Sequence, residues 1–277
     1  MTDTIHHIWR LLLDTYMDVA DLGSVYLFVI CALVFLPLSI VVAGQARQPV
    51  LHRGMVPDVI YWLLAPPLIY APLTVWLFAV LVDSGLYSVN DLGQVVDGVV
   101  PVRSLPVLGQ ALLILVIMDV IQYWIHRLSH AALFWKFHAI HHSATNVDWL
   151  TSTRFHPVDT IVRSYCVYLL VAALGFDSDA WLVLVPFNTL YSPLVHANLD
   201  WDYGPLRFLL VSPVFHRWHH THADEGGNAN FAPTFPFIDI LFGTYYEPKG
   251  VRPTVFGAPH DAVSNTNIVS QILYPFT

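Results

Sequence analysis

Histidines are concentrated in three short segments of this chain. Their spacings are His126-x3-His130, His138-x2-His141-His142 and His216-x2-His219-His220. Residues three or four apart lie on the same face of a helix, so each segment can direct its imidazoles toward one place. With 15 histidines in 277 residues, two H-x2-H-H triplets are not expected by chance. Because imidazole is the commonest protein ligand for metals such as iron, zinc and copper, these segments predict a metal site.

The number of imidazoles indicates more than one ion. Eight histidines exceed the ligands that one tetrahedral or octahedral ion can use, which predicts two metal ions. His196, in the segment HANLD, is a ninth candidate, and nine ligands would divide as four and five. His156 and His222 stay open, since each is either a ligand or a residue of the surroundings. The remaining histidines belong to no cluster and are predicted to have no role in the site: His6, His7, His52 and His260.

Asp119 is a charged residue in an otherwise apolar segment, seven residues before His126. Charge inside a membrane span is costly and usually functional. Two helical turns below His126, the carboxylate could accept the second ring N–H of a ligating histidine and fix its tautomer. The alternative, which the sequence leaves equally open, is a structural hydrogen bond to a Tyr or Trp of a neighbouring helix. Asn198 is a weaker candidate for the same positioning role.

The composition is that of a membrane protein. Hydrophobic residues make up 56% of the chain and charged residues only 12%, against about 25% charged residues in soluble domains. Stretches long enough to cross the bilayer are expected at residues 24–43, 59–82 and 105–125. A fourth apolar region, 161–195, is split by Asp177 and Asp179. It is predicted to form a short helical hairpin that dips into or across the membrane.

The predicted fold is therefore all-α and polytopic, with three parts. Residues 1–104 hold an N-terminal interfacial helix and the first two spans, residues 105–247 hold the catalytic region, and residues 248–277 form a tail. Arg47 and Arg53 place the first loop in the cytoplasm by the positive-inside rule, and the acidic loop 83–104 outside. The histidine clusters must meet on one face, so the active site is expected on the cytoplasmic face.

Several classes of site are excluded. The net charge of −8 and the lack of a basic run argue against a nucleic-acid partner. Two cysteines, far apart in apolar segments, cannot build a thiolate metal site and are not expected to form a structural disulfide. The N-terminus lacks the basic region of a signal peptide.

The histidine segments, with their neighbours, resemble the fatty acid hydroxylase and sterol desaturase superfamily of integral-membrane di-iron enzymes. The resemblance covers residues 105–247 and rests on the motifs HRLSH, HAIHHS, TSTRFHP, HANLD and FHRWHHTH, followed by NFAPTFPFIDILFGTYY. It implies two non-haem iron ions, O2 as co-substrate and electrons from a separate ferredoxin-like or cytochrome-like protein. The family's ligand positions fall on nine residues of this chain: His126, His130, His138, His141, His142, His196, His216, His219 and His220. Some relatives carry a further histidine where this chain has Asp200, so a ten-histidine site is not expected.

The function expected from the sequence is O2-dependent hydroxylation or desaturation of a membrane-lipid C–H bond. A zinc-dependent membrane hydrolase is the first alternative, although its three-ligand site would leave most of these histidines unused. A metal transporter would need polar positions along the spans, and a haem-binding electron carrier would need histidines inside opposing spans. The choice between hydroxylation and desaturation, the lipid, the electron donor and the oligomeric state stay open.

Overall fold

The computed structural model describes residues 23–42, 48–70, 102–258 and 266–277, with scattered positions between 72 and 85 and residue 263. Within these ranges the regular elements are helices and none is a β-strand, in agreement with the predicted all-α class. The expected interfacial helix and most of loop 83–104 lie outside the described residues.

The helices are numbered here in chain order. They are α1 (Gly23–Val41), α2 (Met55–Ala65), α3 (Val107–Ser129), α4 (Ala132–His142), α5 (Pro157–Ala173), α6 (Ser178–His196), α7 (Pro213–His219), α8 (Pro236–Leu241) and α9 (Ile268–Leu273). Short 3-10 segments lie at Val102–Ser104, Trp149–Thr153, Gly204–Phe208, Ala223–Glu225 and Tyr274–Phe276.

Two of the described helices, α1 with 19 residues and α3 with 23, are long and apolar enough to cross a membrane. They coincide, within a few residues, with the expected spans 24–43 and 105–125. The outer face of α1 exposes large apolar side chains such as Leu33, which is 71% exposed. Lipid is the environment in which such a face is stable.

The expected second span begins as α2 and continues as a π-helical turn, Pro66–Tyr70. Proline has no N–H to donate to the preceding turn, which explains why the α-helical pattern ends at these residues. Met55–Ile69 is an apolar helix shorter than the two candidate spans. The rest of the expected second span, residues 71–82, lies largely outside the described residues.

The apolar region 161–195 forms two helices, α5 and α6, joined by a short turn. Asp177 caps α6, because its side chain accepts a hydrogen bond from the Asp179 amide at 3.1 Å. The side chains of Phe176, Ala180 and Leu184 pack with α3 in one buried cluster. The helix α6 thereby runs beside α3 and carries His196 back to the end of α3 that bears His126.

The N-terminal part packs directly on the histidine-bearing part. The Trp62 indole N–H donates to the Leu150 carbonyl at 3.0 Å, and the rings of Trp62 and Trp149 lie 5.6 Å apart. The Asp58 carboxylate accepts from the Arg154 guanidinium in a fully buried ion pair. These contacts fix α2 against the segment Trp149–Thr153.

Candidate metal centre

Nine histidines meet at the ends of four helices and form two groups. The larger group contains His126, His130, His138, His142 and His219. The smaller group contains His141, His196, His216 and His220. Each ring offers one nitrogen, and the nitrogens of a group lie within 4.8 Å of one another. The groups adjoin, since the ring centroids of His142 and His220 are 4.9 Å apart.

Helix geometry explains how each H-x2-H-H triplet is shared between the groups. His138 and His142, four residues apart, belong to the larger group, whereas His141 belongs to the smaller one. In the other triplet the pair four residues apart lies in the smaller group, and His219 lies in the larger. Residues at i and i+4 are stacked on one helix face, and the residue between them is rotated away. Both triplets therefore contribute to both groups.

Most of the rings are oriented through Nδ1. A backbone carbonyl accepts from this nitrogen in four rings: His126 to Phe231 at 2.8 Å, His141 to Arg154 at 3.1 Å, His196 to Ser192 at 2.7 Å and His219 to Ala229 at 2.7 Å. A carbonyl can only accept, so Nδ1 carries the proton in these rings. In the neutral imidazole the lone pair is then on Nε2, which faces the group.

The Nε2 atoms of the larger group are buried, and all five lack a hydrogen-bond partner among the described residues. Buried polar atoms are normally satisfied, so five orphaned nitrogens in one place need a ligand. In the smaller group, Nε2 of His196 lies 2.9 Å from that of His216 and 3.4 Å from that of His141. His141 and His196 carry their protons on Nδ1, so their Nε2 lone pairs face each other at 3.4 Å and repel unless a cation lies between them. The donor set of both groups therefore fits a metal ion.

Burial keeps the imidazoles in the neutral form that binds metals. Burial, together with the neighbouring His138 and Arg163, lowers the pKa of His219 to about 3, although the hydrogen bond to the Ala229 carbonyl raises it. Burial also lowers the pKa of His141, His142 and His220 well below the usual range. At neutral pH these rings are unprotonated and can coordinate an ion without first losing a proton.

The expected contact between Asp119 and a histidine is not present. The Asp119 carboxylate accepts from the Phe235 amide at 2.8 Å, and the ring of His126 is oriented by a carbonyl instead. Asp119 therefore anchors the segment before α8, which is a structural hydrogen bond, although its partner is a backbone amide and not the Tyr or Trp expected for that alternative.

Asp159 makes the contact that was expected of Asp119. Its carboxylate lies 3.0 Å from Nδ1 of His138 and 3.0 Å from Nε of Arg163. Burial raises the pKa of Asp159, but Arg163 and His138 lower it more, so the pKa lies below its usual range. The sequence contains a signal for this residue, since Asp159 and Arg163 have the i, i+4 spacing of an ion pair next to TRFHP.

The other candidate residues lie beside the groups. Asn198 accepts from the guanidinium of Arg217, the residue next to His216. His156 is hydrogen-bonded to the Ile272 carbonyl at 3.2 Å and, like His222, belongs to neither group. Asp200 pairs with Arg252 at the surface. Of the remaining histidines, His52 pairs with Asp148, and His6, His7 and His260 lie outside the described residues.

Two cavities reach the histidines from different sides. A cavity of about 150 Å³ touches His126 and three rings of the smaller group, between α6 and residues 233–234. A cavity of about 390 Å³ touches His130 and His142 of the larger group and is bounded by the loop after α7. Rings of the smaller group therefore line one cavity, whereas rings of the larger group line both.

Comparison of the sequence with known protein families finds a match to one family. Residues 111–244 match the fatty acid hydroxylase family. Ornithine lipid hydroxylase OlsE from Rhizobium tropici is 31% identical over 62% of this chain and 52% of its own length. Alkylglycerol monooxygenase from Xenopus tropicalis is 28% identical over 50% of this chain and 30% of its length. A very-long-chain aldehyde decarbonylase from Oryza sativa subsp. indica is 30% identical over 50% of this chain and 53% of its length.

This chain thus spans between about a third and a half of the length of these relatives. No solved structure matches it significantly. The matched residues contain all nine histidines and the helices α4 to α8 that carry or surround them. The match at residues 111–244 and the similarity to these lipid-modifying enzymes support the fatty acid hydroxylase superfamily as the family of this chain.

Proposed function

We propose that this protein is a non-haem di-iron enzyme that uses O2 to hydroxylate or desaturate a membrane lipid, with electrons from a separate donor protein. The observation that carries the proposal is the pair of adjoining, buried groups of histidine nitrogens that have no other described partner. The relatives named as a lipid hydroxylase and an alkylglycerol monooxygenase support a lipid substrate.

In this proposal one group of histidines holds each iron ion. Two ferrous ions bound there would supply the activation of O2, which no side chain can perform. The chain's own residues hold the ions at adjoining positions, keep every ligand ring neutral and shield the centre from bulk water. The carbonyl and carboxylate partners of Nδ1 keep the rings oriented, which favours retention of the metal.

The smaller cavity is a suitable place for the carbon that reacts. Phe155 lies in its wall and stacks on His141 with ring centroids 4.2 Å apart. Tyr191 also lies in the wall and is fixed by a hydrogen bond from its hydroxyl to the Val211 carbonyl at 2.7 Å. Together with Val195 these residues offer an apolar surface next to four histidine rings of the two groups. An alkyl segment held there would be close to the metal centre and away from water.

A zinc hydrolase or a metal transporter would explain fewer of the nine grouped histidines than a di-iron enzyme does. A zinc hydrolase needs about three protein ligands and would leave six of the nine histidines without a purpose. A transporter would distribute its ligands along a path, whereas these histidines lie together at the ends of four helices. Iron fits a site made only of imidazole as well as zinc does, so metal analysis is needed to separate the two.

We further propose a multi-pass arrangement with the metal centre on the cytoplasmic face. The helices α1 and α3 are suitable spans. The hydrogen bond between His52 and Asp148, at 2.9 Å, supports a common face for the first loop and the histidine segments. The arginines of the first loop favour the cytoplasm for that face.

A lipid comparison tests the proposed activity. Lipid extracts from a host that expresses the protein should contain a species heavier by one oxygen atom or lighter by two hydrogen atoms. The species should be absent with His141→Ala and present with His156→Ala, which changes a buried histidine outside both groups. An identical lipid profile for the wild-type protein and His141→Ala, with an electron donor supplied, would contradict the proposal.

A further inference from the structure

The two cavities that reach the histidines differ in the charge of their walls. The smaller one has the guanidinium of Arg163 in its wall and no carboxylate among the described residues that line it. The larger one has the carboxylate of Asp224 in its wall, together with the imidazole of His222. A cation that approaches the centre therefore meets a positive group on one side and a negative group on the other.

The larger cavity also leads to the most accessible part of the centre. Eight of the nine histidines are buried, and His130 alone is partly exposed. The rings of His130 and His142 line this cavity, and their Nε2 atoms are buried without a described partner. Trp135 completes the wall, with its ring 5.2 Å from each of these two rings. The rings that carry these two nitrogens thus form part of the wall of this cavity.

The loop that carries His222 and Asp224 is held in a defined shape. The amides of Glu225 and Gly227 both donate to the His222 carbonyl at 2.9 Å. A Cβ atom on residue 227 would lie 1.9 Å from the Thr221 carbonyl oxygen, so only glycine fits there. The loop follows His219 and His220 without a linker. The fold therefore fixes the positions of His222 and Asp224 relative to the ligands.

We propose that His222 and Asp224 form a loading site through which a divalent metal ion reaches the centre. The inference rests on the proposed metal-dependent function. A hydrated dication exchanges water for protein ligands one at a time, and a carboxylate at the mouth of a cavity raises its local concentration. His222 and Asp224 would bind the ion transiently and pass it to His130 and His142. Neither residue belongs to a ligand group, which fits a role in transfer and not in retention.

Isotope exchange on the iron-loaded protein tests the loading site. The purified protein is incubated anaerobically with isotopically labelled Fe(II), and both labelled and total iron are followed by mass spectrometry. Asp224→Asn should slow the exchange about fivefold, because it removes one negative charge from the path. Total iron should stay at the wild-type level. Adding His222→Ala should slow the exchange further.

Glu225→Gln is the matched control, since Glu225 is the next residue and also an exposed acid but is not in the cavity wall. It should exchange iron at the wild-type rate. Equal slowing in both variants would assign the effect to general surface charge and overturn the loading site. Wild-type rates in the double variant, or loss of bound iron from Asp224→Asn, would also overturn it. A wild-type protein without iron would instead refute the proposed function, and with it this inference.

Discussion

At the residue scale, the site depends on which atom each imidazole presents. Hydrogen bonds to Nδ1 of His126, His138, His141, His196 and His219 leave Nε2 directed at the two groups. Only one of these partners, Asp159, is a carboxylate. Its charge favours the proton on His138 Nδ1 and strengthens the ligand, as carboxylate–histidine pairs do at metal sites.

A comparison of two aspartates tests this assignment. Asp159→Asn should weaken metal retention about 10- to 100-fold, because it removes the charge that orients His138. Asp119→Asn should keep wild-type metal content, since an amide oxygen can still accept from the Phe235 amide. Iron affinity measured by competition with a chelator distinguishes the variants. Equal loss of affinity in both would show that the contact between Asp159 and His138 has no special role.

The sequence predicts which histidines lie together better than it predicts their hydrogen-bond partners. Spacing and the family resemblance together indicate all nine histidines. Residues three or four apart share a helix face, so this part of the arrangement is visible in a short stretch of sequence. The partner of His126 is a carbonyl 105 residues away, and no local pattern predicts such a contact. Asp119 illustrates the same limit: its burial was predictable, but its partner depends on how the segment at Phe235 packs against α3.

At the element scale, the centre depends on helices that end at the same place. Arg154 links the N-terminal part to it, since its guanidinium donates to Asp58 and to the Gly54 carbonyl, and its own carbonyl accepts from His141. Asp58 and Gly54 lie outside the residues that match the family. The helix α2 therefore helps to position His141, a ring of the smaller group.

The contribution of α2 can be measured as stability. Asp58→Asn removes the carboxylate charge from a fully buried ion pair, which should lower the free energy of unfolding by about 3–5 kcal/mol. Asp202→Asn alters a partly exposed pair with Arg252 and should cost no more than about 1 kcal/mol. Thermal or denaturant unfolding in detergent compares the two. A similar cost for both variants would mean that the buried pair does not hold α2 in place.

Helices were predictable where the apolar pattern is long. The expected spans 24–43 and 105–125 coincide with α1 and α3, and the split at Asp177 and Asp179 marks the turn between α5 and α6. Short elements such as α8, with six residues, depend on tertiary contacts and have no pattern of their own. The expected interfacial helix lies outside the described residues and stays a prediction.

At the scale of the whole molecule, the orientation in the membrane stays a proposal that labelling can test. Single cysteines at Arg53 and Glu225, both exposed, should react with a reagent applied from the cytoplasm. A cysteine at Leu92, in the loop expected outside, should not. The background should lack Cys31 and Cys166. Reaction of the Arg53 and Glu225 positions from opposite sides would contradict the common face.

The central claim is that each group of histidines holds one iron ion, and iron content per chain tests it most directly. Anaerobically purified wild-type protein should contain about two iron ions per chain and show no haem absorption. His219→Ala should lose iron from the larger group, whereas His156→Ala should keep the full content. One ion or none in the wild-type protein, zinc in place of iron, or full iron content in His219→Ala would contradict the account.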